Sequence, residues 1–126
     1  MRVSIITVVF NGAETLEACI KSVMIQTYRD VEHIIIDAGS TDGSLEIIKK
    51  YDKYIAYWIS EPDHGMYDGM NKGIRIASGD VIGILNSDDV YADKYVIENI
   101  AETIKEGCCK AKKGIQSPIK TRCQLR

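Results

Sequence analysis

The chain has 126 residues, 45% of them hydrophobic and 27% charged, with a formal net charge of −2. Those values fit one soluble globular domain with a real but modest core. No stretch approaches the roughly 18 apolar residues of a membrane span. Met1-Arg2-Val3 runs straight into a strand-sized apolar segment, which leaves no room for a signal peptide and makes the cytoplasm the expected compartment.

Val3 to Phe10 is apolar and β-branched without a helical period, and it reads as a buried strand. Asn11-Gly12 breaks it, and Asn11 with Glu14 three residues on resembles a capping box. A helix follows to about Gln26, with Leu16, Ile20, Val23 and Met24 along one face and Cys19 in the core. Val31 to Ile36 is a second strand, ending on Asp37. After the polar turn Ala38–Gly43, Thr41 or Asp42 could cap a helix from Gly43 to Lys50. Tyr54 to Ser60 is a third strand. In the cluster Tyr51, Tyr54, Tyr57 and Trp58, core and sheet-edge packing is the plainer reading than a sugar platform.

Glu61-Pro-Asp-His-Gly65 is a loop, Met66 to Ala77 a third helix stopped near Gly79, and Val81 to Leu85 a fourth strand. Asp93 to Glu106 is a last helix with Val96, Ile97, Ile100 and Ile104 inward. Beyond it the periodicity disappears. Residues 1–106 hold all 18 acids against 10 Lys and Arg, a charge of −8, whereas residues 107–126 hold six Lys or Arg and no acid. The chain therefore divides into a domain at 1–106 and a basic, atypical tail at 107–126. Such a tail could meet anionic lipid or nucleic acid, but a solvated tail needs neither, and nucleic acid is not an expected partner. Cys108, Cys109 and Cys123 form no Cys-x-x-Cys pair with one another or with Cys19 and have no His at zinc spacing. Reduced thiols are expected.

Strands alternating with helices imply right-handed crossovers and a parallel sheet covered on both faces. Functional groups then gather beyond the carboxyl ends of the strands, at the topological switch point. With strand order 3-2-1-4, Asn11, Asp37, Asp88 and Asp89 would ring one crevice. Gathered carboxylates repel, and a divalent cation, Mg2+ or Mn2+, would offset them. The alternative is that Asp88 or Asp89 caps the next helix and Asp37 starts a turn. No GxxxxGK[ST] loop is present, which excludes a P-loop NTPase, and no GxGxxG follows the first strand, which argues against a dinucleotide enzyme.

Four segments resemble the family 2 glycosyltransferases of the GT-A fold: Ser4-Ile-Ile-Thr-Val-Val-Phe-Asn11, Asp37-Ala-Gly-Ser-Thr-Asp-Gly-Ser44, Glu61-Pro-Asp-His-Gly-Met-Tyr-Asp-Gly-Met-Asn-Lys-Gly73 and Ala77-Ser-Gly-Asp-Val-Ile-Gly-Ile-Leu-Asn-Ser-Asp-Asp89. They stand in family order and spacing over residues 3–106. The resemblance implies a three-layer, Rossmann-like nucleotide-diphospho-sugar transferase fold and an inverting, metal-assisted transfer. The sugar would pass from a nucleotide donor, UDP-sugar favoured, to a saccharide or lipid-linked hydroxyl in cell-surface polysaccharide synthesis. It assigns Asp37 to the base, Asp88 to the ribose or donor sugar, and Asp89 to the metal. It assigns Thr7 and Asn11 to the nucleotide pocket, and Asp63, Asp68 and Asn71 to the donor. The motif reads Ser-Asp-Asp and not a strict Asp-x-Asp.

In that family the general base comes from a second half, after the last motif, which is expected to be absent here. A catalytically incomplete donor-binding fragment is thus the alternative function, and an open sheet edge favours self-association. A lipid-linked acceptor would place the chain at the inner face of the membrane. A nucleotidyltransferase fits less well, because Asn11-Gly-Ala-Glu-Thr15 is acidic and not Gly-rich. A receiver domain would want its acid pair near the first strand. His64 reads as a surface or turn histidine near the site, and Tyr67 as either a stacking or a packing residue.

Overall fold

The computed structural model describes residues 1–107. Expectations for the tail, and for Cys108, Cys109 and Cys123, lie outside the described residues. Four strands, β1 (Val3–Val9), β2 (Val31–Asp37), β3 (Tyr57–Ser60) and β4 (Val81–Ile84), form one parallel sheet in the order β3-β2-β1-β4. β1 lies between β2 and β4, with Val3 opposite both Val31 and Val81. Its residues are almost wholly buried, as a central strand covered on both faces requires.

Helices α1 (Ala13–Met24), α2 (Ser44–Lys50), α3 (Met66–Ile76) and α4 (Val96–Gly107) follow the four strands in turn. Alternate side chains of the strands enter different clusters. Val3, Ile5, Val81 and Leu85 pack with Cys19 and Val23 of α1 and Ile97 and Ile104 of α4. Val9 and Ile35 pack with Leu16, Ile20 and Ile48 beneath α1 and α2. Ile6, Ile34, Ile36 and Ile82 face the opposite way, towards Ile74, Ile76 and Ala77 at the α3 side. The molecule thus has three layers, with α3 alone on its side among the described helices.

The close seating of α3 depends on two glycines four residues apart. A Cβ at Gly73 would lie 2.5 Å from Cγ2 of Ile6, and one at Gly69 would lie 2.9 Å from Cγ1 of Val8. Residues at i and i+4 share a helix face, so these two glycines make a flat strip against β1.

Several boundaries differ from the sequence expectation. β3 begins at Tyr57 because Asp52–Tyr54 form a 3-10 turn, and Asp52 Oδ1 accepts the indole N–H of Trp58 at 2.7 Å. α4 begins at Val96, not Asp93. Asp93 Oδ1 takes the Tyr95 N–H at 2.7 Å, and Gln26 Oε1 takes the Ile97 N–H at 3.1 Å, so the first turn is capped from the α1–β2 loop. Met24 is 38% exposed and does not share the inward face of α1. Tyr51 is in the core and Trp58 packs against it, whereas Tyr54 and Tyr57 are exposed. No helix among the described residues is long and apolar enough to cross a membrane.

Candidate functional site

A cleft of about 960 Å³ opens beyond the carboxyl ends of the strands, within the range of small-molecule sites. Four segments build it, among them the β2–α2 loop with Ala38 and Asp42. The β1–α1 turn contributes Phe10, Asn11 and Gly12, the loop after β3 contributes Asp63, Gly65 and Met66, and the loop after β4 contributes Asn86, Ser87 and Asp88. A Cβ on Gly12 would fall 3.0 Å from Ser87 Oγ, so the first and last of these segments touch.

Asn11 lines the cleft, as expected, but it does not form a capping box. Its φ is 52°, in the left-handed region that Asn tolerates better than most residues. In that conformation its N–H donates to Ser40 Oγ and its Oδ1 accepts the Thr41 N–H, both at 2.8 Å. The side chain therefore fastens the β2–α2 loop to the end of β1. The amides at the start of α1 are satisfied from that loop instead. Asp42 Oδ2 accepts the Ala13 N–H and Ser44 Oγ accepts the Gly12 N–H, each at 3.0 Å. Asp42 Oδ1 also accepts the Ser44 N–H at 3.1 Å, so one carboxylate serves the first turns of two helices. Hydrogen bonding by the Ser44 hydroxyl, then by the Ala13 amide, holds the Asp42 carboxyl below its ordinary pKa.

Two expected site residues point elsewhere. Thr7 is fully buried and faces α1, where its hydroxyl meets His33 Nε2 at 2.8 Å and Cys19 Sγ at 3.9 Å. Val8, with the opposite side-chain direction, lines the cleft in its place. Asp37 is also fully buried and does not line the cleft. Its Oδ2 accepts Gly39 N–H, Ser40 N–H and Ser60 Oγ–H at 3.3, 3.0 and 2.7 Å, and its Oδ1 accepts the Ser40 hydroxyl. Three of these donors share Oδ2 and one bonds Oδ1, so the carboxylate is held on both oxygens. Asp37 thus organises the turn after β2.

Asp63 does line the cleft. Its Oδ1 accepts the Gly65 N–H at 2.9 Å, while Oδ2 is buried without a hydrogen-bond partner. Asp68 and Asn71 lie on α3 and do not line the cleft. Asp68 reaches back to the His64 N–H at 3.2 Å, and Asn71 is exposed. His64 is an exposed turn residue, and Tyr67 is 79% exposed and does not pack.

The acid pair after β4 is split. Asp88 lines the cleft and is exposed, whereas Asp89 does not line it. The Asp89 N–H closes a turn on the Asn86 carbonyl at 3.0 Å. Burial, with a smaller contribution from Asp89 and then Asp88, pushes the Cys19 thiol up to about 12. Of the segment after β4, Asn86, Ser87 and Asp88 line the cleft, with Asp89 next to them in the chain. Residues 86–89 form a turn and not extended chain, so strand alternation does not reveal which of their side chains share a side.

The oxygen set suits a hard divalent cation. Asp88 supplies a carboxylate, and Asn86 Oδ1 is a buried acceptor with no partner. Among the described residues no three His, Cys, Asp or Glu side chains form a metal-holding group. A cation here would share its shell with oxygens of a bound ligand, as Mg2+ commonly does with phosphates.

Sheet order, layering and cleft position define the GT-A fold of glycosyltransferases. Solved structures with that fold include Staphylococcus aureus TarS in complex with UDP, at a TM-score of 0.77 and 24% identity, covering 84% of this chain and 32% of that one. A mannosyltransferase from Pyrobaculum calidifontis, in complex with GDP-Man and Mn2+, matches at a TM-score of 0.76 and 22% identity, covering 82% of this chain and 32% of that one.

The chain belongs to Glycosyl transferase family 2, whose model matches residues 4–112. An uncharacterised glycosyltransferase of Mycobacterium tuberculosis is 43% identical over 103 residues, 81% of this chain and 39% of that protein. A cholesterol galactosyltransferase of Borreliella burgdorferi is 44% identical over 90 residues, 70% of this chain and 25% of that protein. The chain thus spans about two fifths or less of the length of these relatives.

Proposed function

We propose that this chain binds a nucleotide-sugar, UDP-sugar favoured, as the donor part of an inverting glycosyltransferase. The acceptor would be a saccharide or lipid-linked hydroxyl in cell-surface polysaccharide synthesis. The observation that carries the reading is the cleft at the strand ends, lined by Asp63, Asn86 and Asp88. Polar side chains of this kind favour a ligand rich in hydroxyl donors and a cation. UDP in the TarS complex and GDP-Man with Mn2+ in the mannosyltransferase complex support the ligand class.

In this reading Asp88, with Asn86 beside it, holds Mg2+ or Mn2+. The cation, when bound, supplies Lewis-acid stabilisation to the leaving nucleoside diphosphate. Asn11 and the β1–α1 turn shape the nucleotide pocket, Asp63 accepts from a donor hydroxyl, and Phe10 and Met66 flank the opening. Transfer also requires a general base for the acceptor hydroxyl, and donor binding is the role assigned to the described residues. A lipid-linked acceptor would bring the chain to the inner face of the membrane. Self-association through β3 or β4, the outer strands of the described sheet, completes the proposal.

Calorimetric titration with UDP, GDP and dTDP, each with and without Mn2+, tests the binding reading. Saturable, Mn2+-dependent binding of UDP is expected, with weaker binding of the others. No binding of any of the three would defeat it. Turnover of UDP-sugars against an acceptor panel separates transfer from donor binding alone, and sedimentation reads the assembly state.

A further inference from the structure

Segment 61–66 forms one wall of the cleft, yet it is a loop with Pro62 and with Gly65 at a φ of 116°. Something must hold a polar loop in one place for its carboxylate to serve as a fixed acceptor. On the far side of that loop stands Lys72 of α3, whose side chain is only 17% exposed. Its Nζ lies 3.1 Å from Glu61 Oε1, at the start of the loop, and 3.8 Å from Asp68 Oδ2. Asp68 in turn accepts the His64 N–H at 3.2 Å, within the loop, and Asp63 accepts the Gly65 N–H at 2.9 Å. The wall is thus tied at Glu61 and His64 to the first turns of α3, while the Glu61 N–H also bonds the Asp37 carbonyl at the end of β2 at 3.0 Å. The helix is itself seated on β1 through Gly69 and Gly73.

We infer that Lys72 is a positioning residue that latches the 61–66 wall to α3 and so sets where Asp63 and Met66 stand in the cleft. It does not line the cleft, and it acts through Glu61 and Asp68. The ammonium pKa is raised, first by the hydrogen bond to Glu61, which agrees with a charged latch. A lysine with no partner to hold would lie extended in water, where exposed ion pairs contribute little. Here the alkyl stem is covered and only the ammonium reaches the two carboxylates, an arrangement in which stem packing and charge can be separated by substitution.

The consequence for the cleft rests on the donor-binding reading above; the latch itself does not. Lys72→Met keeps most of the stem and removes the charge, Lys72→Arg keeps the charge, and Glu61→Gln removes the other partner. Hydrogen exchange on the intact chain should show the His64 and Gly65 amides exchanging roughly 3- to 10-fold faster in Lys72→Met, with β1 and β2 unchanged. Lys72→Arg should restore most of that protection. UDP binding with Mn2+ should weaken by a similar factor in Lys72→Met and in Glu61→Gln, and the double variant should be no weaker than the worse single one. Unchanged exchange at 61–66 in Lys72→Met would overturn the latch, whether or not the chain binds nucleotide. Faster exchange with unaltered UDP affinity would overturn its role in the cleft. Absence of UDP binding in the parent chain would instead count against the donor-binding reading and leave the exchange result as the test of the latch.

Discussion

Replacing Gly73 by Ala sets two well-known effects against each other, and the structure decides between them. In a helix interior, Ala is favoured over Gly by about 1 kcal/mol. At this site, however, the new methyl would sit 2.5 Å from Ile6 Cγ2 and 3.1 Å from both Cγ1 and Cδ1. Carbon atoms pack at about 3.5–4.0 Å, so α3 or β1 must give by roughly 1 Å. Ile6 cannot turn away easily, because it is fully buried among Ile34, Ile36, Ala77 and Ile82. Overpacking of this kind costs about 1–3 kcal/mol. The larger contact deficit here places the cost at the upper end, and the net loss is about 1–2 kcal/mol after the propensity gain. Urea denaturation of Gly73→Ala measures it, with Asn71→Ala on the exposed face of the same helix as control. The control should be neutral or gain a few tenths of a kcal/mol. Combining Gly73→Ala with Ile6→Ala should give a loss smaller than the sum of the two single losses by about 0.5–3 kcal/mol, since the shared clash is removed. If Gly73→Ala stabilises the chain, the close seating of α3 is refuted.

Asp42→Ala should lower the melting temperature, because the first amides of α1 and α2 lose their acceptor together; Asp42→Asn should lower it less. Asn11→Gly relieves the left-handed backbone but gives up the Thr41 hydrogen bond, whereas Asn11→Ala gives up the bond and keeps the strain, so Ala should be the less stable by about 1 kcal/mol in chemical denaturation. Burial holds the His33 imidazole down at about 4, against an ordinary value near 6.5. The unfolded chain therefore binds more protons between about pH 6.5 and about pH 4, and stability should fall through that window by up to roughly 3 kcal/mol. His33→Gln should flatten the pH dependence of unfolding there, even if it shifts the absolute value.

Much of the fold was legible because period and burial agree. β1 and most of β2 are apolar and β-branched, as a doubly covered parallel sheet demands, and the order 3-2-1-4 was the one that brings Asn11 and the acids after the strands to one crevice. What escaped the sequence was contact between segments distant in the chain. Asn11 looked like a cap because Glu14 stood three residues on, but the cap on α1 comes from Asp42, 29 residues away. α4 starts late because Gln26, 71 residues before Ile97, supplies its acceptor. Thr7 and Asp37 were named for the cleft by motif position, and side-chain direction sent both to the α1 and α2 side. Residues 86–89 fold as a turn, so alternation counted through Leu85 does not carry into the acid pair.

The central claim is that the cleft binds a nucleotide together with a cation held at Asp88. Titration of UDP, with and without Mn2+, into the parent chain, Asp88→Asn and Asp89→Asn tests it most directly. Mn2+ should strengthen UDP binding in the parent chain and in Asp89→Asn, and should have no effect in Asp88→Asn. A Mn2+ dependence that survives in Asp88→Asn and disappears in Asp89→Asn would contradict the account.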